Sequence, residues 1–284
     1  MTKIDLWTFD VGAEASTPAA YADLMVSRVI ESWDDGADIV LFPEFSWMGL
    51  SRFVESKAEL NGISQLYWEV LWPLLVQQLR RKDKMAVLGT VPFATEDGSI
   101  LNRAPIILGE ATGHQDKLHL TPWETVLMAG NVLRIWEFGG LKIAVVICLD
   151  IEVPELAALL RGRGVDLILV PSATETTLGM ERVGRCASAR SVELCCHVGV
   201  AHLVGRGASE LIDDNVGRVA WFSPSQSLFT EIEREELSEV ITSGFSRLRV
   251  TLDRKMLQQC RQMFAETNPS LLTDTRRNIE LVTC

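Results

Sequence analysis

The chain alternates short, nearly continuous apolar runs with segments in which apolar residues recur at every third or fourth position. The continuous runs are typical of strands buried on both faces, and the wider spacing is typical of helices with one buried face. Strands are predicted over residues 37–42, 85–94, 104–109, 141–149 and 165–173. Helices are predicted over residues 18–36, 63–84 and 154–164, and a helix followed by a strand over residues 181–200. Because the two kinds of segment alternate, the sequence predicts a layered α/β fold.

No internal repeat, low-complexity segment or Pro/Gly/Ser-rich linker divides this alternation, so a single domain is predicted over residues 1–284. Hydrophobic residues make up 47% of the chain and charged residues 23%, a composition that supports a sizeable core. The net charge of −11 makes the surface acidic and repels phosphate backbones, so we expect no nucleic-acid partner. No uncharged apolar run approaches the ~18–20 residues that span a bilayer, so we expect no membrane partner.

The six cysteines all lie in the second half of the chain, and none forms a C-x-x-C pair. This spacing argues against a zinc or dithiol redox site, so no metal and no cofactor are expected. Cys195 and Cys196 lie in an apolar run and are predicted to be core residues. Near the N-terminus, Asp5 and Asp10 come too early for the apolar core of a signal peptide. We therefore expect a cytoplasmic protein with reduced thiols.

Unusual polar residues follow three of the predicted strands. Glu44 comes just after "ADIVLF", Lys117 and Glu124 lie in "HQDKLHLTPWE", and Cys148 lies in "VVICLD". In α/β sheets, reactive groups gather where strands end and loops leave the core. Taken singly, the glutamate suits a cap or ion pair, the lysine a solvated charge, and the cysteine a small core residue.

Taken together, these residue types supply a base, a cation and a nucleophile. A thiol has an ordinary pKa of about 8.5, so it needs help to become a nucleophile. A carboxylate can accept its proton, and an ammonium can stabilise negative charge formed in the reaction. The four histidines form no obvious Cys–His arrangement, and His197 and His202 lie in an apolar stretch that predicts core positions.

The motifs "LFPE", "DKLHLTPWE" and "ICLDIEVPE" resemble, in order and spacing, those of the nitrilase (carbon–nitrogen hydrolase) superfamily. The resemblance continues through "GVDLILVPSAT", "RCASARSVELCCHVGVAHLVG" and "SRLRVTLDRKMLQQCRQ", and so spans nearly the whole chain. It implies an αββα sandwich in which two mixed sheets lie face to face, flanked by helices. It also implies pairing across helices into a homodimer or higher homo-oligomer.

The resemblance also implies roles for the residues at the strand ends. Glu44 corresponds to the general base, Lys117 to the cation that stabilises the oxyanion, and Cys148 to the nucleophile. Glu124 corresponds to a second glutamate that helps to position the substrate or the base. The backbone N–H of Leu149 corresponds to the other oxyanion donor.

The pocket walls of the superfamily come from variable loops, which here include residues 47–52, 123–128 and 174–180. The resemblance predicts substrate contacts for Trp123 and Thr174, which lie in these loops, and for Leu149 and Ala173. The tryptophan and methionine content of these loops suits either an apolar pocket wall or core packing.

The sequence thus predicts a cofactor-independent hydrolase that cleaves the C–N bond of a small or medium linear amide. The enzymatic alternative is a nitrilase. Nitrilases generally have Trp directly after the nucleophile, and Leu149 at that position favours amides. The other alternative is a catalytically silent binding protein of the same fold.

Asp150 and Glu155 are predicted to make turn and helix-cap hydrogen bonds, and Arg190 and Glu193 to form an ion pair.

Overall fold

A computed structural model of the chain describes residues 1–209 and 211–262. The strands are β1 (Thr2–Trp7), β2 (Phe9–Asp10), β3 (Ile39–Phe42), β4 (Met85–Leu88), β5 (Val91–Ala94), β6 (Ile100–Leu108), β7 (Ala111–Asp116), β8 (Ile135–Phe138), β9 (Leu141–Val145), β10 (Leu167–Ser172), β11 (His197–Arg206), β12 (Asp214–Asn215), β13 (Val219–Phe222), β14 (Glu235–Leu237) and β15 (Arg247–Leu252). The α-helices are α1 (Pro18–Asp34), α2 (Glu59–Gln65), α3 (Trp72–Leu79), α4 (Pro154–Leu160), α5 (Thr177–Leu194) and α6 (Arg254–Gln262). A π-helical stretch joins α2 to α3 (Leu66–Leu71), and 3-10 turns include Ser46–Phe53 and Cys148–Glu152.

The strands form two mixed sheets. The first has the order β15-β1-β3-β4-β6-β5, with β7 paired to β6. Its strands β1, β3 and β4 are parallel, and Ile39 lies opposite both Ile4 and Met85. The second has the order β14-β13-β11-β10-β9-β8, with β2 and β12 also paired to β11. Strands β9, β10 and β11 are parallel, which places their carboxyl ends at one edge of the sheet.

The two sheets pack face to face over a shared apolar core. Inner side chains of the first sheet such as Leu6 and Leu41 belong to the same buried cluster as Val145 and Leu169 of the second. The sheets come close at Gly199, where a Cβ atom would lie 3.0 Å from Cδ2 of Leu6. Alternate residues point to opposite faces of a strand, so one set fills this core and the other faces the helices.

Helices cover the outer face of each sheet. Helix α1 begins where the side chain of Thr17 accepts a hydrogen bond from the backbone N–H of Ala20, with Pro18 in the first turn. Its apolar face packs with α2 and α3 against the outside of the first sheet. Helices α4 and α5 pack against the outside of the second sheet through residues such as Leu156 and Val183. The predicted αββα sandwich is confirmed.

Several predicted boundaries were wrong for local reasons. Residues 85–94 form two strands, because the chain turns at Gly89 with φ +67. The predicted helix 63–84 is divided by the π-helical stretch, which ends just before Pro73, where the backbone lacks an N–H donor. The strand predicted over 141–149 ends at Val145, and the chain then enters a 3-10 turn.

None of the helices within residues 1–209 and 211–262 is long and apolar enough to cross a membrane. Residues 263–284, including the C-terminal Cys284, lie outside the described part of the chain. The single domain over residues 1–284 therefore stays a prediction.

Candidate active site

Three strand ends bring the predicted catalytic residues together between the sheets. Glu44 follows β3 after Pro43, Lys117 directly follows β7, and Cys148 begins the 3-10 turn that follows β9. The Nζ atom of Lys117 lies 2.7 Å from Oε1 of Glu44, although the two residues are 73 positions apart. The site therefore joins both sheets, with the base and cation from one and the thiol from the other.

The Glu44 carboxylate is buried and held at both oxygens. Its Oε1 accepts hydrogen bonds from Lys117 and from Nδ2 of Asn102 at 2.8 Å, and its Oε2 accepts one from the backbone N–H of Ala173 at 3.1 Å. Burial raises the pKa of Glu44 to about 7, against the lowering effect of the Lys117 ammonium and of a hydrogen bond with Cys148. A carboxylate with a pKa near neutrality is suited to general base catalysis.

The Lys117 ammonium lies between two carboxylates. Besides Glu44, it donates to Oε1 and Oε2 of Glu124, each at 2.8 Å. Glu124 is itself held by the backbone N–H of Thr121, which donates to its Oε2 at 2.7 Å. Burial opposes the charged form of Lys117, but the adjacent Glu44, Cys148 and Glu124 outweigh it and raise the lysine pKa. The site therefore holds a permanent cation.

Cys148 has an unusual backbone conformation for a side-chain-bearing residue, with φ at +47. Strained left-handed residues of this kind cluster at functional sites. The Ser172 hydroxyl donates to its Sγ at 3.3 Å, and Sγ lies 3.5 Å from the carbonyl oxygen of Ala173. Burial, followed by the Glu44 charge, raises the pKa of the thiol to about 12. The thiol is therefore protonated at rest, and it would have to lose its proton to act as a nucleophile.

A third carboxylate, that of Asp150, links the 3-10 turn that begins at Cys148 to the loop that follows Lys117. Asp150 accepts hydrogen bonds from the backbone N–H groups of Leu118 at 3.0 Å and His119 at 2.7 Å. Its Oδ1 also lies 3.0 Å from Nδ1 of His119. The prediction of turn hydrogen bonds by Asp150 is confirmed, and they span two loops. The predicted cap by Glu155 was wrong, because Glu155 lies in the first turn of α4 and the N-cap residue is Val153, which makes no side-chain cap hydrogen bond.

A cavity of about 390 Å³ opens onto these groups. It is lined by the four predicted catalytic residues and by all four residues predicted to contact substrate, namely Leu149, Trp123, Ala173 and Thr174. The apolar residues of the surrounding loops divide into two groups. Trp47, Met48 and Met180 are core residues, whereas Trp123 and Met128 are exposed.

Sequence reasoning missed two residues that contact the reactive groups. Asn102 is a polar residue inside strand β6, and its bond to Glu44 joins residues 58 positions apart. Ser172 ends strand β10 and lies next to Ala173. In the sequence, each residue places an amide or a hydroxyl within an otherwise apolar strand. Because buried polar groups require hydrogen-bond partners, this pattern could have indicated a contact with the site.

The residues predicted to be structural occupy structural positions. His197 and His202 are 3% and 1% exposed, and Cys195 and Cys196 are fully buried. The Arg190 guanidinium lies 2.8 Å from Glu193, which confirms the predicted ion pair. Within residues 1–209 and 211–262, no group of three or more His, Cys, Asp or Glu side chains could hold a metal ion.

The chain is similar in sequence to a hydrolase and an amidase among curated proteins. A probable hydrolase from Bacillus subtilis, YhcX, is 32% identical over 203 residues, which cover 69% of this chain and 39% of the relative. A deaminated glutathione amidase from Synechocystis is 29% identical over 183 residues, which cover 57% of this chain and 64% of the relative. The chain thus spans less than two thirds of the length of each of these relatives.

Solved structures share the fold. An amidase from Nesterenkonia sp. AN1 superposes with a TM-score of 0.69 at 19% identity, covering 91% of this chain and 96% of that one. A CN-hydrolase superfamily protein from Xanthomonas campestris superposes with a TM-score of 0.71 at 18% identity, covering 100% and 99%. The family model described as carbon–nitrogen hydrolase matches residues 10–262. The chain therefore belongs to the carbon–nitrogen hydrolase family.

Proposed function

We propose that this carbon–nitrogen hydrolase cleaves the amide bond of a small or medium linear amide through a cysteine thioester. One observation carries the proposal. A thiol with a raised pKa, a carboxylate with a pKa of about 7 and a buried ammonium line one cavity, with the ammonium 2.7 Å from the carboxylate. This arrangement supplies nucleophile, base and oxyanion stabiliser without a cofactor.

The acylation step uses the three groups in sequence. Sγ of Cys148 attacks the amide carbonyl carbon, and Glu44 accepts the thiol proton as the C–S bond forms. The negative charge that develops on the carbonyl oxygen is stabilised by the Lys117 ammonium and by the backbone N–H of Leu149. Glu44 then returns the proton to the nitrogen, the C–N bond breaks, and ammonia or an amine leaves.

Deacylation repeats the same proton transfers with water. Glu44 removes a proton from a water molecule, which attacks the thioester carbonyl. The oxyanion again forms beside Lys117, and its collapse breaks the C–S bond. The proton returns to Sγ of Cys148, and a carboxylic acid is released. Glu124 takes no proton in this sequence, because it serves to hold the Lys117 ammonium in place.

Relatives and solved structures support the proposal by their own chemistry. One structure of the amidase from Nesterenkonia sp. AN1 shows covalent addition of the acetamide moiety of fluoroacetamide at the active-site cysteine. Another shows an amidase variant in complex with butyramide. A Pseudomonas relative, 26% identical over 216 residues, is an (R)-stereoselective amidase.

We further propose that the protein forms a homodimer and acts in the cytoplasm. Helices α4 and α5 carry the exposed side chains Leu159 and Leu178, 60% and 72% accessible, on the outer face of the second sheet. Apolar side chains on an outer helix layer are suited to pairing with a second copy. The mechanism also requires Cys148 as a reduced thiol, which a reducing compartment maintains. Light scattering on the purified protein tests the dimer.

The hydrolase proposal is tested by intact mass after wild type and Cys148→Ala are incubated with a panel of amides and stopped in acid. An acyl adduct on the wild type alone supports the thioester, and its mass identifies the acyl group. Release of ammonia or amine without an adduct also supports hydrolysis, with fast deacylation. Turnover by Cys148→Ala at the wild-type rate would contradict the assignment.

A further inference from the structure

An exposed tryptophan lies between the candidate active-site cavity and a second cavity. Trp123 is 83% exposed, whereas the other seven tryptophans, all among the described residues, are buried or half-buried. It lines both the 390 Å³ cavity and an adjoining cavity of about 380 Å³. Leu211 also lines both. The two cavities are therefore adjacent, and Trp123 and Leu211 line both of them.

Five of the ten residues that line the second cavity are apolar. Ala58, Leu60 and Val126 line it together with Trp123, and Val126 is 60% exposed. Large apolar side chains that remain exposed next to a cavity mark binding surfaces. An aromatic ring also provides a large contact area at a low cost in conformational entropy. The second cavity is therefore suited to an apolar or aromatic group.

The ionisable groups of this cavity do not select a charged ligand. Lys57 and Glu59 both line it and carry opposite charges. The Glu59 carboxylate also accepts a hydrogen bond from the Ser209 hydroxyl at 3.1 Å. Opposite charges at the wall cancel at longer range, so the favoured ligand is uncharged.

The position of Trp123 relative to the reactive groups is held by its neighbour. Glu124 bonds to the Lys117 ammonium through both oxygens. The backbone of Glu124 donates to the carbonyl oxygen of Thr121 at 3.1 Å and accepts from the N–H of Leu127 at 3.0 Å. The backbone that carries Trp123 is therefore anchored next to the reactive groups.

We propose that the second cavity binds an uncharged apolar or aromatic substituent of the amide substrate, and that this substituent packs against the ring of Trp123. The preferred substrates are accordingly amides that carry such a group several bonds from the scissile C–N bond. This inference rests on the proposed function, since it names the substrate class of the same site.

The test measures binding separately from turnover. Calorimetry on Cys148→Ala compares three probes, namely propionamide as the short reference, 4-phenylbutyramide with a ring on the acyl side, and N-benzylacetamide with a ring on the amine side. We expect at least one ring-bearing amide to bind more tightly than propionamide. Adding Trp123→Ala lowers that preference about tenfold, as expected for loss of an aromatic anchor. The affected probe shows which side of the amide the cavity holds.

Two further variants complete the design. Ala58→Phe fills the second cavity and lowers the same preference, whereas Val240→Ala, an exposed apolar site outside both cavities, leaves it unchanged. An equal affinity for all three probes, or a preference that Trp123→Ala does not reduce, overturns the inference. A dimer that dissociates in Trp123→Ala without a change in preference also overturns it, because the surface is then an interface between copies.

Failure of the proposed function has a different outcome. Wild-type protein that binds a ring-bearing amide but releases no ammonia, amine or acid from any amide contradicts hydrolysis and not the second cavity. Wild-type protein that hydrolyses propionamide without preferring either ring-bearing amide contradicts only the inference about the second cavity.

Discussion

The Nζ atom of Lys117 lies 2.7 Å from Oε1 of Glu44, and each of these side chains is only 1% exposed. Burial of two carboxylates, Glu44 and Glu124, against one ammonium leaves the group one negative charge in excess. Burial away from water, with a smaller contribution from the negative charge of Glu124, raises the pKa of Glu44 to about 7 against the lowering effect of the Lys117 ammonium. The same packing that hides the ions from water therefore produces a base that can both accept and return a proton near neutral pH.

The pH dependence of catalysis follows from the Glu44 carboxylate. Its base form is required for attack, so kcat/KM rises with pH and levels off above about pH 7. The pKa of the Cys148 thiol is about 12, so its titration causes no further change in kcat/KM below pH 10. Steady-state kinetics from pH 5 to 9 on one amide measure the profile. Glu44→Gln is the control. It lowers kcat/KM at least ~10³-fold and removes the rise of kcat/KM with pH. If this variant keeps the same rise, Glu44 is not the general base.

Removal of the buried cation affects stability and activity differently. Lys117→Met removes the proposed oxyanion donor and leaves Glu44 and Glu124 buried without their shared cation, so we expect activity to fall ~10²–10³-fold or more. The free energy of unfolding falls by about 3 kcal/mol, because an uncompensated buried charge remains. Urea denaturation and initial rates measure the two effects.

The matched variant is Lys117→Met combined with Glu124→Gln. It removes one of the two buried carboxylates that Lys117→Met leaves without a cation, so it recovers part of the stability but does not recover activity. Recovery of activity together with stability would show that Lys117 has only a structural role.

The Asp150 carboxylate fixes the loop that follows Lys117 relative to the 3-10 turn that begins at Cys148. Asp150→Asn replaces one acceptor oxygen with an amide group that faces a backbone N–H donor, which weakens the bonds to Leu118 and His119. A small displacement of Lys117 then lowers kcat by ~10–10²-fold with little change in KM. His119→Ala is the control, because it removes only the ring contact and leaves both backbone bonds. Equal effects of the two variants on kcat contradict this role.

Two buried histidines make the fold sensitive to acid. Burial lowers the pKa of His197 to about 3 and that of His202 to about 4, below the ordinary value of 6.5. The unfolded chain therefore binds these protons first, so stability is fully present above about pH 6.5 and is lost as pH falls toward the folded values. Each histidine contributes a loss of about 2 kcal/mol between pH 7 and pH 5. Urea denaturation at several pH values measures this loss as the slope of the free energy of unfolding against pH. His202→Gln reduces the number of protons that this slope reports by about one. An unchanged slope would falsify the role of His202.

Local patterns in the sequence were enough for the type of most elements. The residues of β3 are all fully buried within a predicted run, and α1 has its apolar face at the predicted spacing, because side-chain period depends only on local backbone geometry. The break at Gly89 and the π-helical stretch before Pro73 were missed. Their positions depend on how the chain turns to meet its neighbours, and the carbonyl oxygen of Pro43 would lie 2.3 Å from a Cβ atom at Gly89.

The sequence by itself determined the α/β class, the strand ends that carry Glu44, Lys117 and Cys148, and the resemblance that implies their roles. Only the tertiary structure decided which groups contact them. The bond from the Ala173 N–H to Glu44 joins residues 129 positions apart, and the bond from Asn102 crosses 58. Such bonds, and the burial that shifts the pKa values, depend on the packing of two sheets. A local sequence pattern reports the side that a residue faces, whereas the neighbours on that side are set by the assembled core.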